Sequence, residues 1–166
     1  MNNNLNGYAA EACLNKAAAE SRKIHSVKLE NVIAKCKISQ VGRRHYESAF
    51  SFLCEDYGNI SFEGNKRVSV LDESAVPEGI AADLILGLDV VISFLGYTIG
   101  IDITVNENST GRKLKKKQSL SDVYKKDFEI DFTIILIATE RFTSTDLETL
   151  LKQAIKDGSD CQILSI

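Results

Sequence analysis

The sequence predicts one α/β domain in which a mixed sheet is flanked by helices. At 166 residues the chain has the length of a single domain, and its 44% apolar residues are enough to build a core. Apolar β-branched runs alternate with segments that have helical periodicity, which is typical of this class. No linker or internal repeat divides the chain. We expect residues 1–41 to form an N-terminal helical extension and residues 42–166 to form the α/β domain.

Helices are predicted in the first third of the chain. Residues 8–19 are rich in alanine, a strong helix former, and Ser26 is a candidate cap for a second helix over residues 27–37. A third helix follows Gly42. Its amphipathic stripe has i, i+3, i+4, i+7, i+8 spacing and consists of Tyr46, Ala49, Phe50, Leu53 and Cys54, with Tyr57 as an alternative to Cys54.

The strands are predicted mainly in the middle of the chain. Residues 59–73 alternate in places between apolar and polar, which indicates one or two short strands on a partly solvated sheet. The runs LDVVISF and YTIGIDITV are rich in β-branched residues and lie on either side of Leu95-Gly96. This arrangement predicts a tight β-hairpin.

The apolar segment at residues 79–101 has the length of a membrane span. It contains Asp83 and Asp89, each unfavourable by about 2.5–3.5 kcal/mol at the centre of a spanning helix. We therefore expect buried strands there and no membrane partner, since strands covered on both faces also read as continuous apolar runs.

The last third of the chain alternates between helix and strand. Residues 112–126 predict a basic helix or a loop and helix, and residues 132–139 predict a buried strand. Thr143 is a candidate cap for a further helix that ends near Gly158, and CQILSI predicts a final strand. The stripe of that helix consists of Leu147, Leu150, Leu151, Ala154 and Ile155.

The charge is unevenly distributed along the chain. The formal net charge is −3, which excludes a globally basic nucleic-acid binder. Residues 112–126 nevertheless contain seven Lys or Arg and one acid, Asp122. Such a segment is a local footprint for phosphate binding, and the alternative is a solvated helix face balanced by nearby acids.

Several common classes of chemistry are disfavoured. The four cysteines are widely separated and form no zinc pattern, so we expect reduced thiols. The start of the chain has no secretory pattern, and we expect a cytoplasmic protein. The absence of P-loop, G-x-G-x-x-G and G-x-S-x-G motifs argues against NTP hydrolysis, dinucleotide chemistry and α/β-hydrolase chemistry.

Two acids come together if Leu95 and Gly96 form the turn. Asp89 and Asp102 then face each other across the hairpin, with Cβ atoms about 4.5–5.5 Å apart. Carboxylates in apolar surroundings repel each other unless a cation binds them, and Mg²⁺ prefers such oxygen ligands. The alternative is a shift of one residue that points one aspartate to solvent, and Asp83 is a competing acid.

These features resemble the PD-(D/E)XK nuclease superfamily. The resemblance covers residues 43–139 and implies a restriction-endonuclease-like sheet that binds DNA and hydrolyses its phosphodiester bonds with Mg²⁺ or Mn²⁺. It also implies that Asp89 and Asp102 bind the metal. Glu47, on the helix before the sheet, is then the candidate for a second metal or a metal-bound water.

The sequence departs from that pattern at the motif lysine. Thr104 stands at the lysine position, so the resemblance implies either a catalytic cation from the following segment or a loss of catalysis. That segment offers Lys113, Lys115, Lys116 and Lys117, of which Lys113 and Lys115 are the catalytic candidates. The candidate DNA-binding residues are Arg43, Arg44, Arg112, Lys116 and Lys117.

Two other functions remain open. Thr104 favours a non-catalytic module that keeps the fold and binds nucleic acid or an acidic protein. The N-terminal helices at residues 8–19 and 27–37 suggest a third possibility, a homo-oligomeric scaffold.

Overall fold

The computed structural model describes residues 5–166, which divide into two compact units. The first unit combines the residues up to Lys28 with Gly87–Ile166, and the second unit is Leu29–Leu86. The second unit is thus inserted between two sequence segments of the first. The expected boundary between residues 41 and 42 falls inside a helix of the second unit.

The elements follow one another in this order. They are α1 (Gly7–Glu20), β1 (Ile24–Ser26), α2 (Val32–Ile38), α3 (Gln40–Tyr57), β2 (Gly58–Glu63), β3 (Lys66–Leu71), α4 (Glu78–Ala81), β4 (Val90–Phe94), β5 (Tyr97–Thr104), α5 (Thr110–Ser119), α6 (Ser121–Phe128), β6 (Phe132–Ile137), α7 (Ser144–Asp157) and β7 (Cys161–Ser165).

The first unit is built on a mixed five-stranded sheet with the order β1-β4-β5-β6-β7. Strands β1, β4 and β5 are antiparallel neighbours, whereas β5, β6 and β7 run parallel. The two parallel connections contain helices, as parallel pairing requires: α5 and α6 join β5 to β6, and α7 joins β6 to β7. The predicted α/β class and the mixed sheet flanked by helices are confirmed.

The predicted hairpin is confirmed together with its register. Leu95 and Gly96 both have positive φ, 50° and 85°, as a two-residue turn of this kind requires. The ladder runs from Phe94↔Tyr97 to Val90↔Ile101 without a slip.

One face of the sheet carries the main hydrophobic core. Because side chains alternate along a strand, Ile99, Ile101 and Ile103 of β5 share this face, which α1 and α7 cover. The apolar side of α1, expected as an oligomer interface, is thus buried within this chain. The helix residues in the core are Ala10, Leu14, Ala17, Leu147, Leu150, Leu151 and Ala154.

The opposite face of β5 carries Gly100, Asp102 and Thr104. Lys117 of α5 is buried there and is bonded to Asp102. The apolar residues buried in the segment that follows are Leu120, which lies between the two helices, and Val123, Tyr124 and Phe128 of α6. The polar centre described below lies on this face.

The second unit contains α2, α3, α4 and the β2–β3 hairpin, which pairs separately from the five-stranded sheet. The stripe predicted for α3 is confirmed, since Tyr46, Ala49 and Leu53 are buried. Of the one or two short strands expected within residues 59–73, the structure has two, β2 and β3.

Two local predictions are wrong. Ser26 does not cap a helix, because it pairs with Ile92 in the sheet. Helix α2 begins later, and the Glu78 carboxylate accepts the N–H groups of Asn31 and Val32 at its start. This cap comes from a residue far along the sequence, which a local reading does not reveal.

The apolar segment that was expected to form only strands is partly helical. Helix α4 continues into a π-helical turn, Ala82–Leu86, whose buried residues pack against α3. None of the helices in residues 5–166 combines the length and the apolar character needed to cross a membrane. All four cysteines are free thiols.

A buried tyrosine in the second unit gives a pH-dependent prediction. Burial, together with the hydrogen bond that its hydroxyl donates to Glu73 Oε1 at 3.0 Å, raises the pKa of Tyr46 to about 12. Between about pH 10 and pH 12 the unfolded chain loses this proton first, so we expect Tyr46 to lower stability as pH rises. In urea unfolding at about pH 9 and pH 11, Tyr46→Phe should show a smaller decline than the wild type. An equal decline in both proteins would contradict the assignment.

Candidate functional site

The centre of the site is the Asp102 carboxylate, which binds two ammonium groups. Lys117 Nζ donates to Oδ2 at 2.6 Å, and Lys113 Nζ donates to Oδ1. The two lysines are four residues apart and therefore lie on the same side of α5. Lys113, one of the lysines expected at the site, and Lys117 thus contact Asp102, whereas Lys115 is exposed elsewhere on α5. The catalytic role expected for Lys113 and Lys115 stays a prediction.

The three side chains differ in burial. Lys117 is 1% exposed and Asp102 is 4% exposed, whereas the Lys113 side chain keeps 27% of its exposure. Burial lowers the pKa of Lys117, while the adjacent Asp102 carboxylate acts in the opposite direction. Among residues 5–166, no buried side-chain nitrogen or oxygen lacks a hydrogen-bond partner, so the ion cluster is internally satisfied.

Gly87 completes the surroundings of Lys117. Its carbonyl oxygen accepts a second hydrogen bond from the ammonium group. Gly87 has a φ of +68°, and a Cβ at this position would lie 2.9 Å from Lys117 Nζ. Glycine is therefore needed both for the backbone conformation and for the close approach of the lysine.

Asp89 is held at the same end of the β4–β5 hairpin but not as expected. Its N–H donates to Ile101 O at 2.9 Å, although Ile101 pairs with Val90, so Asp89 and Val90 both face Ile101 as in a β-bulge. Asp89 Oδ2 accepts the N–H of Ile103 at 2.7 Å. The ladder thus ends before the expected pairing of Asp89 with Asp102, because the Asp89 side chain bonds to the β5 backbone.

Thr104, at the expected lysine position, anchors the loop between β5 and α5. Its Oγ1 accepts the N–H of Asn106 at 3.1 Å and lies 3.2 Å from Ser109 Oγ, which in turn donates to Asn106 O. These hydrogen bonds fix the start of α5. Thr104 therefore helps to position the helix that carries Lys113 and Lys117.

The other cations of residues 112–126 fall into two groups. Lys125 pairs with Asp160 at 2.6 Å and Lys126 with Asp122 at 3.7 Å. The second group is the basic face of α5, which consists of Arg112, Lys115 and Lys116 at i, i+3, i+4 spacing. Arg112 and Lys115 are exposed, and Lys116 is partly exposed. Lys117, expected among the DNA-binding residues, is buried in the Asp102 cluster and does not belong to this face.

The remaining predicted residues belong to the second unit. Glu47, Arg43 and Arg44 are exposed on α3, and Arg43 Nε donates to Lys37 O at 3.2 Å. Asp83, the competing acid, is exposed on the π-helical turn. The roles expected for these residues stay predictions.

No protein-family model, curated protein or solved structure matches the chain. Function is therefore inferred from the geometry of its own residues.

The expected Mg²⁺ ligands do not fit a metal ion as they are arranged. Each oxygen of Asp102 is bonded to a lysine ammonium group, and Asp89 Oδ2 is bonded to a backbone N–H. No group of three or more His, Cys, Asp or Glu in residues 5–166 is placed to hold a metal ion. A hard divalent cation needs oxygen ligands that are open to it, so we derive no metal-dependent step from this arrangement.

The buried role of Lys117 was missed at the level of sequence. A lysine in a basic run is ordinarily solvated. Gly87 and Asp102 are distant from Lys117 in the sequence, so they do not indicate that this lysine is buried. The one signal in the sequence is that Lys113 and Lys117 are four residues apart, which places both lysines on the same side of a helix.

Proposed function

We propose that this protein binds duplex DNA by laying the basic face of α5 (Arg112, Lys115 and Lys116) against the phosphate backbone. The observation that carries the proposal is that Arg112 and Lys115 are exposed and have no ion-pair partner within residues 5–166. Lys113, Lys117, Lys125 and Lys126 are instead paired with acids. Exposed cations on one side of a helix can neutralise adjacent phosphates.

The composition of α5 favours duplex DNA over single-stranded nucleic acid. Recognition of single strands relies on aromatic side chains that stack on unpaired bases. Helix α5 contains no aromatic residue, and Tyr124 and Phe128 of α6 are buried. The face thus offers charge without a stacking platform, which suits contacts to a duplex backbone.

The strand order of the first unit supports a restriction-endonuclease-like core. Three antiparallel strands are followed by a helical crossover to a parallel strand, and Asp89 and Asp102 lie at the end of the central hairpin.

The four free thiols fit a reducing compartment, and we place the protein in the cytoplasm.

The proposal is tested by fluorescence anisotropy with a labelled duplex in the presence of EDTA. Each phosphate contact contributes roughly −0.9 to the slope of log K against log[salt], so Arg112→Ala/Lys115→Ala/Lys116→Ala should flatten that slope by about two to three. The matched control is Lys125→Ala/Lys126→Ala, which removes cations already paired with acids and should bind like the wild type. Failure of the wild type to bind, or equal binding by the triple variant, would contradict the proposal. Tighter binding to RNA or to an acidic protein than to the DNA duplex would also contradict the proposal.

A metal-dependent nuclease is the second candidate function. It is the activity that the resemblance implies, and the position of Asp89 at the same end of the hairpin as Asp102 supports it, whereas the two lysines bound to Asp102 count against a metal ion there. Incubation of plasmid and single-stranded DNA with Mg²⁺ or Mn²⁺ distinguishes the two functions. Cleavage that EDTA and Asp102→Asn both abolish would establish the nuclease, whereas uncut DNA would favour binding alone.

A further inference from the structure

We infer that Lys117 is a built-in counter-cation whose ammonium group takes the place beside Asp102 that a divalent cation would otherwise occupy. This inference does not depend on DNA binding. It starts from the position of Asp102, a carboxylate that is almost fully buried on the α5 side of the sheet. Such a carboxylate requires a cation or an equivalent set of hydrogen bonds.

The ligands of the ammonium group are those of a hard metal ion. Lys117 Nζ is bound by a carboxylate oxygen of Asp102 and by the backbone carbonyl oxygen of Gly87. Carboxylate and carbonyl oxygens are also the groups that coordinate Mg²⁺ and Ca²⁺. The position of Lys117 Nζ is therefore a cation position formed by two separate chain segments.

The surroundings of this position are fitted to the lysine. The absence of a Cβ at Gly87 leaves room for Nζ, since that atom would lie only 2.9 Å from it. Lys113 binds the other Asp102 oxygen, so both oxygens carry a hydrogen bond from an ammonium group. A metal ion near this carboxylate would meet two positive charges.

Two consequences follow. The wild-type centre should bind neither Mg²⁺ nor Mn²⁺, and removal of Lys117 should expose an oxygen-lined cation position. Lys117→Ala removes the buried charge while keeping the Asp102 carboxylate and the Gly87 carbonyl. We therefore expect this variant to acquire a divalent-cation site that the wild type lacks.

Mn²⁺ titration monitored by electron paramagnetic resonance tests the inference, because the signal of free Mn²⁺ falls when the ion binds. We expect no binding by the wild type, about one Mn²⁺ bound per chain by Lys117→Ala, and none by Lys117→Ala/Asp102→Asn. Since binding to the native state stabilises it, Mn²⁺ should raise the Tm of Lys117→Ala and leave that of the wild type unchanged.

The wild-type measurement can overturn the inference even if the variant does not fold. One Mn²⁺ bound by the wild type, lost in Asp102→Asn, would do so. The same holds for a folded Lys117→Ala variant that binds no Mn²⁺. A failure of DNA binding would leave these outcomes unaffected, so the inference and the proposed function can fail separately.

Discussion

Asp102→Ala is expected to lower the free energy of unfolding by about 3–5 kcal/mol, the range observed when one partner of a buried ion pair is removed. The variant leaves the Lys117 ammonium group buried, and among residues 5–166 the Gly87 carbonyl is then its one hydrogen-bond acceptor. Because an uncompensated buried charge is strongly unfavourable, the loss should greatly exceed that of a surface pair. Urea unfolding followed by circular dichroism measures the difference.

Two further variants test whether this loss of stability comes from breaking the buried ion pair. Asp122→Ala breaks the exposed pair with Lys126 and should leave the unfolding midpoint essentially unchanged. Asp102→Leu/Lys117→Met replaces the buried pair with apolar side chains and should recover most of the stability lost in Asp102→Ala. The buried-pair account is wrong if Asp102→Ala unfolds at the same urea concentration as the wild type.

The two lysines bound to Asp102 should contribute very differently to stability. Lys117→Ala removes a fully buried side chain and opens a cavity, and we expect a loss of about 3–5 kcal/mol. Lys113→Ala removes a partly exposed partner while Lys117 keeps Asp102 paired, so we expect a loss of about 1 kcal/mol or less. The same urea experiment compares them, and an equal or larger loss for Lys113→Ala would contradict the central role of Lys117.

Much of the first unit follows from local sequence rules. The Leu95-Gly96 turn fixes the hairpin register, since its two residues adopt the positive φ values that the turn requires. Thr143 and Asp146 form the capping box that begins α7, and Gly158 ends that helix in the left-handed conformation. These features depend on residues close together in the chain, which is why the sequence predicts them.

The unpredicted features depend on contacts between distant residues. Asp89 was expected to face Asp102, but its carboxylate bonds to the Ile103 N–H. Ser26 was expected to cap a helix, but its pairing with β4 makes it part of a strand. Lys117 has the sequence context of a solvated lysine, and its burial arises only when α5 packs over Asp102. In each case a tertiary contact outweighs the local preference.

The most direct test of the account is the affinity for a labelled DNA duplex, measured by fluorescence anisotropy in EDTA and in Mg²⁺ at equal ionic strength. If the basic face of α5 binds the backbone and Lys117 neutralises Asp102, the two Kd values should agree and the DNA should remain intact. Binding that requires Mg²⁺ and disappears in Asp102→Asn would show that the Asp102 centre holds a metal ion, and would contradict the account.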